Sequence, residues 1–271
     1  MGYKLSIIIP IYNVEKYIAD CLHSIFDQNA EGNYEVILVN DGTKDRSMEI
    51  AREICSGKPN VTVAEQENQG LSTARMRGLA EAKGEYVWFV DSDDYLEGNA
   101  IDYVINLINN NREIGIFMFP LHTTVDNTHE NYLDYHIEDA TYTTGKSILK
   151  KGDLPIWGSV RYVIKRDIFR NKWIGFPEGL SHEDEYFGRA LLYTKEKIMC
   201  LHIPIYTYRK RAMSTMTNRD IRSSYNLINI FHKLKEFENN NVLPEDLIWF
   251  SRHVYMGTLV SSYSISKRLI G

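Results

Sequence analysis

Cysteine is scarce in this chain of 271 residues: Cys21, Cys55 and Cys200 stand far apart and form no C-x-x-C pair. That excludes a disulfide framework and a zinc ribbon, and a reducing cytoplasm fits best. Long apolar runs are missing too. No uncharged stretch approaches the ~20 residues that cross a bilayer, and no signal peptide precedes Lys4, so the expected protein is soluble yet free to sit on a membrane surface. Positive charge is not in excess either; a net charge of −5 leaves no nucleic-acid footprint. Neither G-x-G-x-x-G nor G-x-x-x-x-G-K-[ST] occurs, so any phosphate must be held by side chains and a metal, not by a glycine-rich cradle.

What is present is a globular composition, 44% hydrophobic and 25% charged, sufficient for one large domain or one domain with a smaller appendage. Tyrosine is plentiful at 18 residues, but it serves mixed cores as well as stacking surfaces for sugars and bases. No internal repeat and no low-complexity segment interrupts the chain.

The first half alternates strand and helix signals. Strands are expected at Leu5–Pro10, Tyr34–Val39, Val61–Ala64, Tyr86–Val90 and Ile114–Phe119. Helices are expected at Glu15–Gln28, Ser47–Cys55, Ser72–Ala82 and Ala100–Asn109. Strands apolar throughout, each followed by a helix, imply a parallel sheet covered on both faces, with ligands beyond its carboxyl ends. A long connection from Thr123 to Thr143, with a hairpin, would shape a binding site. Beyond it lie a strand at Trp157–Lys165, a short helix at Arg166–Asn171, a helix at Ser181–Tyr193, one or two strands in Lys197–Tyr208, and helices near Ser223–Asn239 and Pro244–Lys267.

Polar residues collect at three strand ends: Pro10-Ile11-Tyr12-Asn13, Asn40-Asp41-Gly42 and Asp91-Ser92-Asp93-Asp94. Like charges a few ångströms apart repel unless something positive offsets them, and a hard divalent cation carrying phosphates would do so. A capping box spanning Asp94 to Glu97 accounts for those two acids but not for Asp91 and Asp93. Their i, i+2 spacing can turn both carboxylates to one side. A calcium EF-hand is excluded, because Leu96 stands where its glycine belongs and Asp102 where its final glutamate belongs.

Four segments, L-S-I-I-I-P-I-Y-N-V-E-K-Y-I, V-I-L-V-N-D-G-T-K-D-R-S, E-N-Q-G-L-S-T-A-R-M-R-G-L and G-E-Y-V-W-F-V-D-S-D-D, in this order and spacing, resemble family 2 of the inverting glycosyltransferases. The resemblance is dense over residues 4 to 100 and thinner to about 216. It implies an α/β GT-A fold: a Rossmann-like, mostly parallel sheet flanked by helices, with a C-terminal helical extension. The domain would span 1–216, its nucleotide-binding half about 1–100 and its acceptor-side half about 101–216, with the extension at 217–271.

By the same resemblance, Pro10, Tyr12 and Asn13 would receive the base of a UDP-sugar, and Asp41 would accept a hydrogen bond from its edge. Asn68, Gly70 and Arg75 would lie along the ribose and diphosphate, with Ser92 beside them. Arg75 could equally be a solvated helix residue, and Gly70 and Gly78 ordinary turn and close-packing glycines. Asp93 would ligate Mn2+ or Mg2+ directly, with Asp91 as ribose contact or outer partner of the ion. Glu183-Asp184 would be the E-D signature, Asp184 the base and Glu183 an acceptor or structural contact. Ser181 with Asp184 also fits a capping box. His182 reads as a capping or surface residue, and Tyr186 excludes the zinc pattern H-E-x-x-H.

Trp157-Gly158 is either an acceptor-side aromatic or core. Arg209 and Arg211 are either diphosphate contacts in a late basic loop or an exposed basic patch. The implied activity moves a hexosyl or N-acetylhexosaminyl group to a hydroxyl of a glycan or lipid-linked glycan in surface-polysaccharide synthesis. The protein would be cytoplasmic, and the basic, amphipathic Ile265–Ile270 segment would be its contact with the inner membrane face. The rivals are a non-catalytic carbohydrate- or nucleotide-binding protein on a retired GT-A fold, and a sugar-nucleotide pyrophosphorylase, which would want a basic glycine-rich loop where Pro10–Asn13 stands.

Overall fold

Strand β1 (Leu5–Ile11) is buried along its whole length, because it has helices on both faces of its sheet and strand neighbours on both edges. The chain then alternates through α1 (Ile18–Phe26), β2 (Tyr34–Asp41), α2 (Ser47–Ile54), β3 (Val61–Gln66), α3 (Leu71–Glu81) and β4 (Tyr86–Phe89). Next come β5 (Tyr95–Leu96), α4 (Ala100–Asn110), β6 (Ile116–Met118), β7 (His122–Val125), β8 (Asn131–Leu133), β9 (Thr141–Thr144) and α5 (Gly145–Lys151). The described chain is completed by β10 (Tyr162–Lys165), α6 (Glu183–Leu192), β11 (Lys197–Cys200), β12 (Tyr206–Lys210) and α7 (Ile221–Asn241). This computed structural model describes residues 2–28, 30, 33–125, 131–136, 141–152, 154–210, 221–247 and 250.

One sheet runs β3-β2-β1-β4-β10-β6-β11-β9, with β10 and β9 antiparallel to the other six strands. Its two faces carry separate cores, as the period of two along a strand requires. Ile7, Ile9, Val36, Leu38 and Trp88 pack with α1, α2 and α4, whereas Ile8, Ile37, Val39, Val87 and Phe89 pack with α3, α6 and α7. Helix α1 meets the first core through Ile18, Cys21, Leu22 and Ile25, one helical stripe. Helix α3 approaches the second so closely that a Cβ on Gly78 would stand 2.3 Å from Ile8 Cγ2. A smaller sheet, β5-β12-β7-β8, closes over the end of β4.

Several local expectations change. Strand β1 continues through Pro10 to Ile11. Pro10 is tolerated there because pairing with β4 has already ended at Ile8, so the strand keeps one partner. The stretch predicted as a strand from Trp157 narrows to β10, preceded by a 3-10 turn at Ser159–Arg161. No capping box forms at Asp94–Glu97: Tyr95 and Leu96 pair with β12, and helix α4 starts only at Ala100. Of the predicted final helix, Pro244–Asp246 is a 3-10 turn and most of the remainder lies outside the described residues. The predicted hairpin is β7 with β8.

Candidate functional site

The carboxyl ends of β1, β2 and β4 and the N-terminus of α3 share one rim. Tyr12 stands just past β1 with 44% of its surface exposed, an open aromatic face. Asn13 follows in a left-handed conformation (φ 53°), its amide donating to Thr43 Oγ1 at 2.8 Å. Pro10 is buried in the strand below. Asp41 is only 2% exposed, and its carboxylate takes four donors. Gln66 Nε2 and the Gln69 amide reach Oδ1, while Asn68 Nδ2 and the Gly70 amide reach Oδ2. Four donors fill the four lone-pair sites of a carboxylate. Asp41 therefore builds the loop that carries Asn68 and Gly70, and the base contact its motif implies would have to displace one of these donors. Gly70 caps α3 at φ 88°, a conformation that favours glycine.

Beyond β4 the chain turns tightly, the Asp94 amide bonding back to the Asp91 carbonyl. Ser92 and Asp94 are buried; Asp91 and Asp93 are partly exposed. Arg75 proves neither solvated nor placed loosely along the rim. It is 3% exposed, donating from Nη2 to Asp91 Oδ1 and from Nη1 to Glu183 Oε1, both at 2.7 Å, with its guanidinium carbon 5.0 Å from the Phe176 ring centre. Burial works against its charge, but Asp91 and Glu183 outweigh burial and hold it protonated. A group this buried persists as an ion only when paired. Its Nε has no partner among the described residues.

Glu183 and Asp184 open α6. No capping box forms here either: His182 occupies the N-cap with a left-handed backbone (φ 65°) and no side-chain cap bond, and Ser181 Oγ accepts from Asn226 instead. Asp184 accepts from the Gly158 amide at 3.1 Å. Burial, then the neighbouring Glu183 and Glu185 charges, push its pKa up to about 6, against the pull of Arg75 and the Gly158 amide. A carboxylate titrating there is charged at neutral pH yet basic enough to take a proton. Trp157, beside Gly158, is 40% exposed, which removes it from the core.

Motif reading missed the residues that support this loop. Arg161, fully buried, donates to the Trp157 carbonyl, the Phe119 carbonyl and Asp134, so it fixes the backbone that presents the Gly158 amide. Nothing in its sequence spacing signals that task. Arg209 reaches Asp20 at 3.0 Å and lies over the Tyr17 and Tyr95 rings, while its backbone amide donates to Asp94. It is thus neither an exposed basic residue nor aimed free at the rim. Arg211 lies outside the described residues.

Asp91 and Asp93 bear on what ion could fit. No group of three or more His, Cys, Asp or Glu suited to a metal exists among the described residues. A closed zinc-type site is therefore absent there. Magnesium and manganese fit better, because such ions accept one or two carboxylates and complete their shell with water and substrate phosphates. Arg75 already engages Asp91 Oδ1, and Asp93 stands two residues further along the same turn.

Comparison with known proteins agrees with this architecture. GlyA of Streptococcus pneumoniae, a glycosyltransferase, is 33% identical over 77% of this chain and 31% of its own length. GgaB of Bacillus subtilis, a minor teichoic acid biosynthesis protein, is 30% identical over 88% of this chain and 26% of its own. The chain thus spans about a third or less of either relative. Crystalline Staphylococcus aureus TarS, residues 1–349 in complex with UDP-GlcNAc, superposes with a TM-score of 0.72 at 24% identity, covering 89% of this chain and 68% of that one. The model of Glycosyl transferase family 2 matches residues 6–172, and with the GT-A fold in place the chain belongs to that family.

Proposed function

We propose that the protein is a metal-dependent inverting transferase that moves a hexosyl or N-acetylhexosaminyl group from a UDP-sugar to a hydroxyl of a glycan or lipid-linked glycan. One observation carries this reading: a single buried arginine, Arg75, joins the acid pair at the end of β4 to the acid pair at the start of α6. A donor bound at the first pair would present its anomeric carbon toward the second.

Tyr12 would stack on the base, and the loop organised by Asp41 would border the ribose. Asp93 would ligate Mn2+ or Mg2+, with Asp91 beside it, and the ion would neutralise the diphosphate as it leaves. Asp184 would accept the proton of the attacking hydroxyl at its carboxylate while Gly158 holds its orientation. Glu183 would keep Arg75 in place. Direct attack from the face opposite the leaving group inverts the anomeric centre. The UDP-GlcNAc complex of TarS supports a uridine donor, and the role named for GgaB supports a cell-surface polymer as destination. No helix among the described residues is long and apolar enough to cross a membrane. The Ile265–Ile270 segment proposed for membrane contact lies outside them.

The test is calorimetric titration of UDP with and without Mn2+, followed by UDP release from a panel of UDP-sugars. Metal-dependent binding with sugar-dependent release is expected. UDP binding without turnover on any donor or acceptor would favour a retired fold, and no UDP binding under either condition would remove the uridine donor.

A further inference from the structure

The turn that carries Asp91 and Asp93 is tied from outside by one phenol. Tyr206 Oη donates to Asp94 Oδ2 at 2.6 Å and accepts from the Asp91 amide at 3.1 Å. The other oxygen of Asp94 accepts from the Arg209 amide at 2.8 Å. A residue of β12, more than a hundred positions away in sequence, therefore grips the turn both before and after Asp93. Tyr206 and Asp94 are both wholly buried, and neither faces the open rim. Tyr206 also packs its ring against Trp88 of β4, 6.3 Å between centres, so its hydroxyl rests on a rigid base.

We infer that Tyr206, acting through Asp94 and the Asp91 amide, is a positioning residue that sets the geometry of the Asp91–Asp93 pair toward a divalent cation. The inference rests on the proposed metal role of that pair. An ion with strict octahedral demands tolerates little displacement of a ligand, and side chains that hold its ligands in place commonly contribute 10- to 100-fold to metal affinity. Two buried hydrogen bonds to a single hydroxyl are a means of meeting that demand. The ring alone would fill the core without them.

Tyr206→Phe isolates the hydroxyl, and Asp94→Asn removes one acceptor oxygen while keeping the shape. In the full chain, UDP affinity is measured by calorimetry across a series of Mn2+ concentrations, with thermal unfolding as a check on folding. The Mn2+ midpoint should rise about tenfold in both variants, and raising Mn2+ tenfold should restore wild-type UDP affinity. A midpoint within twofold of wild type in both would overturn the inference. So would UDP affinity depressed equally at every Mn2+ concentration, because that marks general damage. If the wild type binds UDP without regard to Mn2+, the metal reading itself falls and this inference falls with it; wild-type dependence with unchanged variants sinks the inference alone.

Discussion

Glu183 and Asp184 are adjacent, yet they answer to different partners: Glu183 accepts from Arg75 and Asp184 from the Gly158 amide. Successive positions on a helix point about 100° apart, so the first turn of α6 turns one acid inward to the arginine and the next toward the loop. The same division of labour should show in the variants.

Replacing Arg75 by methionine keeps bulk but strips Asp91 and Glu183 of their shared cation. Removing one partner of a buried ion pair costs about 3–5 kcal/mol, and the partial exposure of Asp91 sets the expectation at the lower end. Urea unfolding measures this, and a loss under about 1 kcal/mol would show that the bridge matters little to folding.

Asp184→Asn should abolish turnover and leave UDP affinity nearly intact. Near-normal activity in the variant would remove Asp184 as the base. In the wild type, kcat/KM should fall as pH drops below about 6, because the base is then protonated.

That same carboxyl predicts a stability effect. Its native pKa lies above the ordinary aspartate value, so its favourable contribution is complete below the unfolded pKa near 4 and is lost as pH rises through about 6. Asn, uncharged throughout and still able to accept from Gly158, should match or exceed the wild-type Tm at pH 7.5, with the advantage shrinking at pH 5. A variant less stable at pH 7.5 than at pH 5, relative to wild type, contradicts this sign.

Asp93→Ala should weaken UDP binding in Mn2+ while leaving the metal-free affinity alone. Unchanged metal dependence would take Asp93 out of the ion's coordination.

Gly78→Ala would force a methyl to 2.3 Å from Ile8 and 3.0 Å from Val39. Overpacking of this kind costs about 1–3 kcal/mol, read as a lowered Tm with active-site affinities preserved. An unchanged Tm would mean that α3 can back away from the sheet.

Much of the first half was legible because its signals are local. Apolar β-branched runs, helical stripes and polar strand ends put β1, α1, β2, α2 and α3 near their observed positions, and the acids of the rim with them. The legible part thins where structure depends on distant partners. Asp94–Glu97 and Ser181–Asp184 both spell capping boxes, yet distant side chains won in each case: Tyr206 took Asp94 and Asn226 took Ser181. Arg75 reads as either a diphosphate-side contact or a solvated helix residue, and its buried bridge emerges only when Asp91 and Glu183, brought in by β4 and α6, close around it. Arg161 has no motif at all, since its value lies in three acceptors scattered along the fold.

The antiparallel β10 lies between β4 and β6 and binds both. Cutting the chain near residue 100 would strip β4 of that neighbour and bare the edge beside Val87 and Trp88, inviting pairing with other chains. The β1–β4 side of the sheet thus borrows its outer wall from a segment some seventy residues further along the chain. On a ribosome, the first hundred residues would emerge as an unfinished and adhesive sheet, safe only once β10 has slotted in.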